Sequence, residues 1–269
     1  MLEKIDFDVD KITKEEYKPL HDELVDRLVV LQQEARSRNI GLVVLFEGWN
    51  GAGKGGRISD LLYELDARAT SVHVTGNFNV EDARLFREEH KGSTGYFPMM
   101  QEFWRALGPR GNITFFDRGW YTTSAQRLMY ALPPKDASDK KRRKIEKKLG
   151  VQAESFLNSI EDFESQLVDD GYVVVKFFLH IREKTQRKRL TGLAEDPSTA
   201  WRVSKHELEA LDDYERTYRI YDRFLHATNY SFAPWVVLNG EDKRRANLTV
   251  ARTLVEKLDA ALHREEDPA

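Results

Sequence analysis

Apolar residues recur along this chain with two periods, and the period decides what each segment becomes. Between Thr13 and Arg38, Leu20, Leu24, Leu28, Leu31 and Ala35 return every third or fourth residue, which predicts an amphipathic helix over 13–38. Thr13 is placed to cap that helix, and Glu16 completes a capping box. Residues 42–46 (LVVLF) form a short β-prone run that stops at Gly48. Ile58, Leu61, Leu62 and Leu65 then supply the buried face of a second helix. Further strands are expected at 71–75, 112–116, 172–181 and 235–238. Helices are expected at 80–90 and 97–107, from Glu183, over 204–227 and over 243–263, with a flexible turn, HKGSTGY, at 90–96. Strands alternating with helices predict an α/β fold whose parallel sheet binds ligands at the carboxyl ends of its strands. Residues 121–171 break the rhythm, being mostly helical and polar, with the run KKRRKIEKK at 140–148. The pattern therefore describes one domain, 1–269, with a helical excursion at about 121–171 and a partly ordered lead-in over 1–12.

Composition narrows the class. A chain of 269 residues with 41% hydrophobic and 32% charged residues can bury a core and remain soluble. Its net charge of −3 gives no overall field for polyanions, so a phosphate-rich partner needs a local basic patch, and neither nucleic acid nor membrane is an expected partner. The absence of cysteine excludes disulfides, thiolate metal sites and cysteine nucleophiles. The first residues carry no apolar signal core and no run approaches the ~20 residues of a membrane span, so the expected location is the cytoplasm. A homo-oligomer, dimer or tetramer, is the expected assembly.

The chemistry begins where strand 42–46 ends. LVVLFEGWNGAGKGGR reads strand, glycine loop, lysine, helix, and contains Gly48-x-x-x-x-Gly53-Lys54, the core of a Walker A phosphate loop. Gly48, Gly51, Gly53, Gly55 and Gly56, with Ala52 among them, let the backbone approach an anion, so that amides converge on phosphate oxygens where a helix dipole begins. Lys54 brings a mobile charge to the phosphoryl group in transit. Gly55 stands where Ser or Thr usually supplies a hydroxyl to Mg²⁺. A glycine-rich βα turn that binds nothing remains the alternative on this stretch alone.

ITFFDRGWY (113–121) adds the other half: an apolar strand ending in Asp117 is the Walker B arrangement, whose carboxylate holds Mg²⁺ directly or through water. Arg118 is placed to neutralise oxygens that gain charge during transfer. Asp117 as a plain helix cap is the alternative in isolation.

Together with these two blocks, FFLHI followed by Gln186 and Arg189, EDPSTAWRVS (195–204) and APWVVLNGEDKRRA (233–246) resemble the polyphosphate kinase 2 family, in its order and over nearly all of the chain from Gly41 to Leu258. The resemblance implies a three-layer P-loop kinase fold with a helical lid. It also implies Mg²⁺-dependent phosphoryl transfer between inorganic polyphosphate and an adenine or guanine nucleotide. It assigns Gly48, Gly51, Gly53, Lys54 and Gly55 to phosphate, Asp117 to the metal, Arg118 to the transferring group and 121–171 to the lid. Glycine at 55 is what the family carries. Two positions depart from it: Asn50 replaces the usual aspartate, keeping an acceptor oxygen but no charge, and Gly119 replaces a serine. An ATP-dependent nucleotide kinase, or a catalytically weakened polyphosphate- or nucleotide-binding protein, therefore stays open.

Other cations and aromatics are assigned by position. Arg105 and Arg110, just before strand 112–116, are expected at the ligand edge; Arg182, Arg187, Lys188 and Arg189 are expected to add phosphate contacts. Residues 140–148 either guide polyphosphate or form a solvated helix face. Trp49 and Trp120 either stack on a base or pack the loop, Trp201 and Trp235 belong to the core, and Glu47 is a supporting group of undecided role.

Overall fold

The computed structural model describes residues 1–75, 100–130 and 138–264. Strands β1 (Gly41–Gly48), β2 (Thr70–Val74), β3 (Ile113–Asp117), β4 (Tyr172–His180) and β5 (Trp235–Asn239) form one sheet in the order β2-β3-β1-β4-β5. All pairings among the described residues are parallel, with Leu42 opposite both Ile113 and Val173. Parallel neighbours require crossovers, and helices supply them. The described helices are α1 (Lys14–Ser37), α2 (Lys54–Leu62), α3 (Gln101–Ala106), α4 (Trp120–Tyr130), α5 (Asp139–Asp169), α6 (Glu183–Glu195), α7 (Lys205–Glu209), α8 (Tyr214–Ala227) and α9 (Lys243–Arg264), of which α2 to α8 lie between strands.

α2 and α9 pack on the sheet with α1 lying over α9, while α4 packs on β1 and α5 on β4. Covered by helices, the central strand β1 is buried along its whole length, which is why it reads as a continuous apolar run. Phe46 on it stacks on Phe177 at 5.2 Å and tilts against Phe115 at 6.3 Å. The expected capping box of α1 is present, Glu16 N donating to Thr13 Oγ1 and Thr13 N to Glu16 Oε2. The buried stripe of α1 runs through Val25, Leu28, Leu31, Gln32 and Ala35, leaving Leu20 exposed.

Four expectations change. Residues 1–12 are pinned across the carboxyl ends of β4 and β5: Leu2 is buried, Phe7 meets the His180 ring at 5.1 Å, and the carbonyls of Asp6, Asp10 and Ile12 accept from Asn239, Arg245 and Arg244. The helix expected over 204–227 is α7, a 3-10 turn and α8, because Tyr214 restarts the helix where its hydroxyl donates to Ile181 O at 2.7 Å. Trp201 is 77% exposed, not core; its indole donates to Ser198 O at 3.0 Å and lies under the Arg202 guanidinium. The excursion at 121–171 divides: Lys140, Lys141, Arg143, Lys144, Lys147 and Lys148 on the first half of α5 are exposed, whereas Ile160, Phe163 and Leu167 on its second half are core. The helix expected at 80–90, the turn at 90–96 and the start of 97–107 lie outside the described residues.

One charged cluster sits inside the core. Lys176 at the middle of β4 donates to Glu164 Oε2 and Thr228 O, both at 2.8 Å, and to Tyr121 Oη at 3.1 Å. Glu164 Oε1 accepts from Trp120 Nε1 at 2.9 Å and Tyr121 Oη at 2.6 Å. Burial pushes the Lys176 ammonium down and the Glu164 carboxyl up, and each partner's charge opposes the other's shift. No helix among the described residues is long and apolar enough to cross a membrane.

Candidate active site

β1 and β3 pair with Phe46 opposite Asp117, so the glycine loop and the aspartate leave the same edge of the sheet side by side. Only glycine fits the start of the loop. Gly48 has φ +118°, and a Cβ there would lie 2.3 Å from Leu179 O. Trp49 is buried, stacks on Tyr214 at 4.2 Å and donates from Nε1 to His180 Nδ1 at 2.9 Å. It is a peg that seats the loop, not a base platform, and Trp120, also buried, packs against Phe103 and Phe163. Burial drives His180 down to about 4, so it accepts as a neutral ring. The back of the loop is braced by α6: Gln186 Nε2 donates to Asn50 O at 3.3 Å, and Arg189 donates to Gly51 O and Gly240 O, both at 3.0 Å.

Gly53 caps α2, whose first turn holds Lys54, Gly55 and Gly56, so the unpaired amides and positive dipole end of this helix open at the loop. Lys54 Nζ donates to Gly48 O at 2.9 Å and Trp49 O at 3.0 Å. Burial lowers its pKa to about 8; Asp117 and Glu47 push it back up, and Arg118 adds to the fall. Asp117 Oδ2 lies 3.4 Å from where a Cβ on Gly55 would stand, which places its carboxylate against the first turn of α2. Asp117 O accepts from Thr75 N, and Arg118 follows with φ +65°, its amide held by Phe46 O at 3.0 Å.

Mg²⁺ is held by one or two carboxylates plus phosphate oxygens and water. Asp117 fits as such a carboxylate, a hard oxygen donor beside the phosphate loop. Glu47, one residue before the loop, does not, because its oxygens accept from Gly119 N, Thr122 N and Thr122 Oγ1.

The fold thus gathers Gly48, Asn50, Gly51, Ala52, Gly53, Lys54, Gly55, Gly56, Asp117 and Arg118 at one edge. Arg105 and Arg110 are not there. In a parallel sheet the residues before a strand lie at the amino edge, and Arg110 donates to Asp170 O, the residue two before β4; Arg105 is exposed on the last turn of α3, which leads into that edge. Arg182 and Arg187 are held by Glu241 and Asp212. Arg57 escaped the sequence reading: it is buried on α2, with a guanidinium nitrogen 3.5 Å from the Cβ position of Gly53. Its one trace in the sequence is a cation four residues before the buried Leu61.

Known proteins resemble this chain along nearly its whole length. The family model described as Polyphosphate kinase 2 (PPK2) matches residues 11–266. A polyphosphate:AMP phosphotransferase of Pseudomonas aeruginosa is 30% identical over 247 residues, covering 92% of this chain and 44% of that protein. An NDP-polyphosphate phosphotransferase of Ruegeria pomeroyi is 27% identical, with 93% of this chain and 74% of that one covered. This chain therefore spans less than half of the Pseudomonas relative and about three quarters of the Ruegeria one. Among solved structures, a Pseudomonas aeruginosa chain described as a polyphosphate kinase 2 superposes with a TM-score of 0.80 at 26% identity, covering 98% of this chain and 52% of that one. The polyphosphate kinase 2 of Arthrobacter aurescens, at 22% identity and TM-score 0.77 over 97% and 85% of the two chains, shares the fold. The chain belongs to the polyphosphate kinase 2 family.

Proposed function

We propose that this protein transfers a phosphoryl group between inorganic polyphosphate and an adenine or guanine nucleoside mono- or diphosphate, with Mg²⁺ bound. The observation that carries the reading is Asp117 Oδ2 lying 3.4 Å from the Cβ position of Gly55, beside a lysine-bearing glycine loop that opens a helix. The Pseudomonas and Ruegeria relatives, named for AMP and NDP as partners of polyphosphate, support the substrate class.

In this reading the amides of Gly51 to Gly55 hold the donor phosphates and Lys54 follows the group in transit. Arg118 stabilises the charge that develops on it. Asp117 would hold Mg²⁺, which when bound would offset the negative charge of the phosphates. The acceptor's phosphate oxygen is already ionised at neutral pH, so attack needs no protein base, and positioning with charge stabilisation supplies the catalysis. That requirement is compatible with a neutral Asn50. The exposed first half of α5 serves as the lid that excludes water. The place of action is the cytoplasm.

Asn50 favours one second reading, a binding protein with a weakened site. A donor-by-acceptor matrix decides: polyphosphate or ATP against AMP, ADP, GMP and GDP, with and without Mg²⁺. Metal-dependent product from polyphosphate is expected. Product from ATP alone would replace the reading by an ordinary nucleotide kinase. Near-zero turnover raised strongly by Asn50→Asp would establish the weakened site.

A further inference from the structure

Arg118 occupies a backbone conformation that a residue with a side chain rarely takes, φ +65°. Such a conformation persists only where its surroundings over-determine it, and here those surroundings belong to β1. Phe46 O holds the Arg118 amide at 3.0 Å. The next residue, Glu47, is fully buried and reaches across to the turn after Arg118. Its Oε1 accepts from Gly119 N at 2.9 Å and Thr122 N at 3.2 Å, and its Oε2 accepts from Thr122 Oγ1. The carboxylate therefore caps the first turn of α4, satisfying amides that have no partner within the helix and meeting its positive dipole end. Packing is close: a Cβ on Gly119 would stand 3.4 Å from Glu47 Oε1 and 3.2 Å from Leu45 Cδ2. Two successive residues of the strand that carries the phosphate loop thus bolt down the turn that carries Arg118.

We propose that Glu47 is a positioning residue for phosphoryl transfer, fixing Arg118 relative to Lys54 without touching substrate. A role as proton acceptor is disfavoured by the same bonds, since three donors occupy the carboxylate and no solvent reaches it. The inference rests on the transfer activity proposed above.

The test compares Glu47→Ala, Glu47→Gln and Thr122→Val, each with and without Arg118→Ala. A displacement of about 1 Å at a catalytic group costs on the order of 100-fold, so Glu47→Ala should lower kcat by roughly that factor while leaving both KM values within about threefold. Glu47→Gln retains an acceptor for the two amides and a donor for the Thr122 hydroxyl, and should recover most of the rate. In the Arg118→Ala background, Glu47→Ala should cost less than about threefold, because the group it positions is gone. Independent, multiplicative losses, a Glu47→Gln variant as impaired as Glu47→Ala, or a rise in KM at constant kcat would each overturn the proposal. Should Glu47→Ala not fold, Thr122→Val carries the same cycle, with a severalfold loss expected that vanishes beside Arg118→Ala; an unchanged kcat overturns it. Amide hydrogen exchange separates this inference from the activity on which it rests. Protection of 119–122 should fall in the Glu47 or Thr122 variants while α1 is unaffected. Unchanged protection contradicts the cap, whereas a wild-type protein without transfer activity contradicts only the function.

Discussion

Lys54 holds its charge less firmly than an exposed lysine, because burial beside Arg118 pulls its pKa to about 8 against the usual 10.5. Two consequences have opposite senses. The charged form is penalised in the fold below pH 8, and that cost disappears as pH rises from about 8 towards 10.5, where the unfolded chain still binds the proton. Phosphate binding, in contrast, is lost as the ammonium discharges. We therefore expect kcat/KM for polyphosphate to fall roughly tenfold per pH unit above about 8, and Lys54→Arg to remove that limb at a lower overall rate. A profile flat to about pH 10 would contradict this role. Lys54 and Gly48 were legible in the sequence because a loop declares itself by spacing within one short stretch, and Asp117 because an apolar run ending in an aspartate is equally local. Glu47 and Arg189 were singled out there too, but not what they hold, since that depends on Gly119 and Thr122 in one case and on Gly51 and Gly240 in the other, residues distant in sequence. Asn50 lies in the loop as expected, with its carbonyl held by Gln186.

At the scale of elements, the first turn of α4 is gripped from two sides, by Glu47 from β1 and by Glu164 from α5. Lys176 neutralises Glu164 from β4 inside the core. Removing one partner of a buried pair leaves an uncompensated charge, so Lys176→Met should cost about 3–5 kcal/mol of stability, measured by urea unfolding. Adding Glu164→Gln, which removes that charge but keeps an acceptor for Trp120 and Tyr121, should restore much of the loss; a single variant less than about 1 kcal/mol down would contradict the account. Strands and α1 followed from periodicity alone because covering both faces of β1, or one face of α1, writes itself into every turn. Trp201 and Arg110 were misplaced for a physical reason. An indole can satisfy itself locally on Ser198 and Arg202, and order along the chain does not by itself reveal which edge of the sheet a cation faces.

For the whole molecule, a net charge of −3 requires any anion site to be local, and the fold brings Lys54, Arg118 and the positive end of α2 to one edge of an otherwise balanced protein. The five-stranded parallel sheet and the family matched over residues 11–266 give that edge its meaning. The glycine loop and Asp117 are proposed to form one phosphoryl-transfer site. Its most direct test is nucleotide product formed from long-chain polyphosphate, AMP or ADP and Mg²⁺ by the wild type, Lys54→Met and Asp117→Asn side by side. Product is expected from the wild type, with losses on the order of 1,000-fold in each variant. Variants that turn over like the wild type, or a wild type that yields no product with either nucleotide, would contradict it.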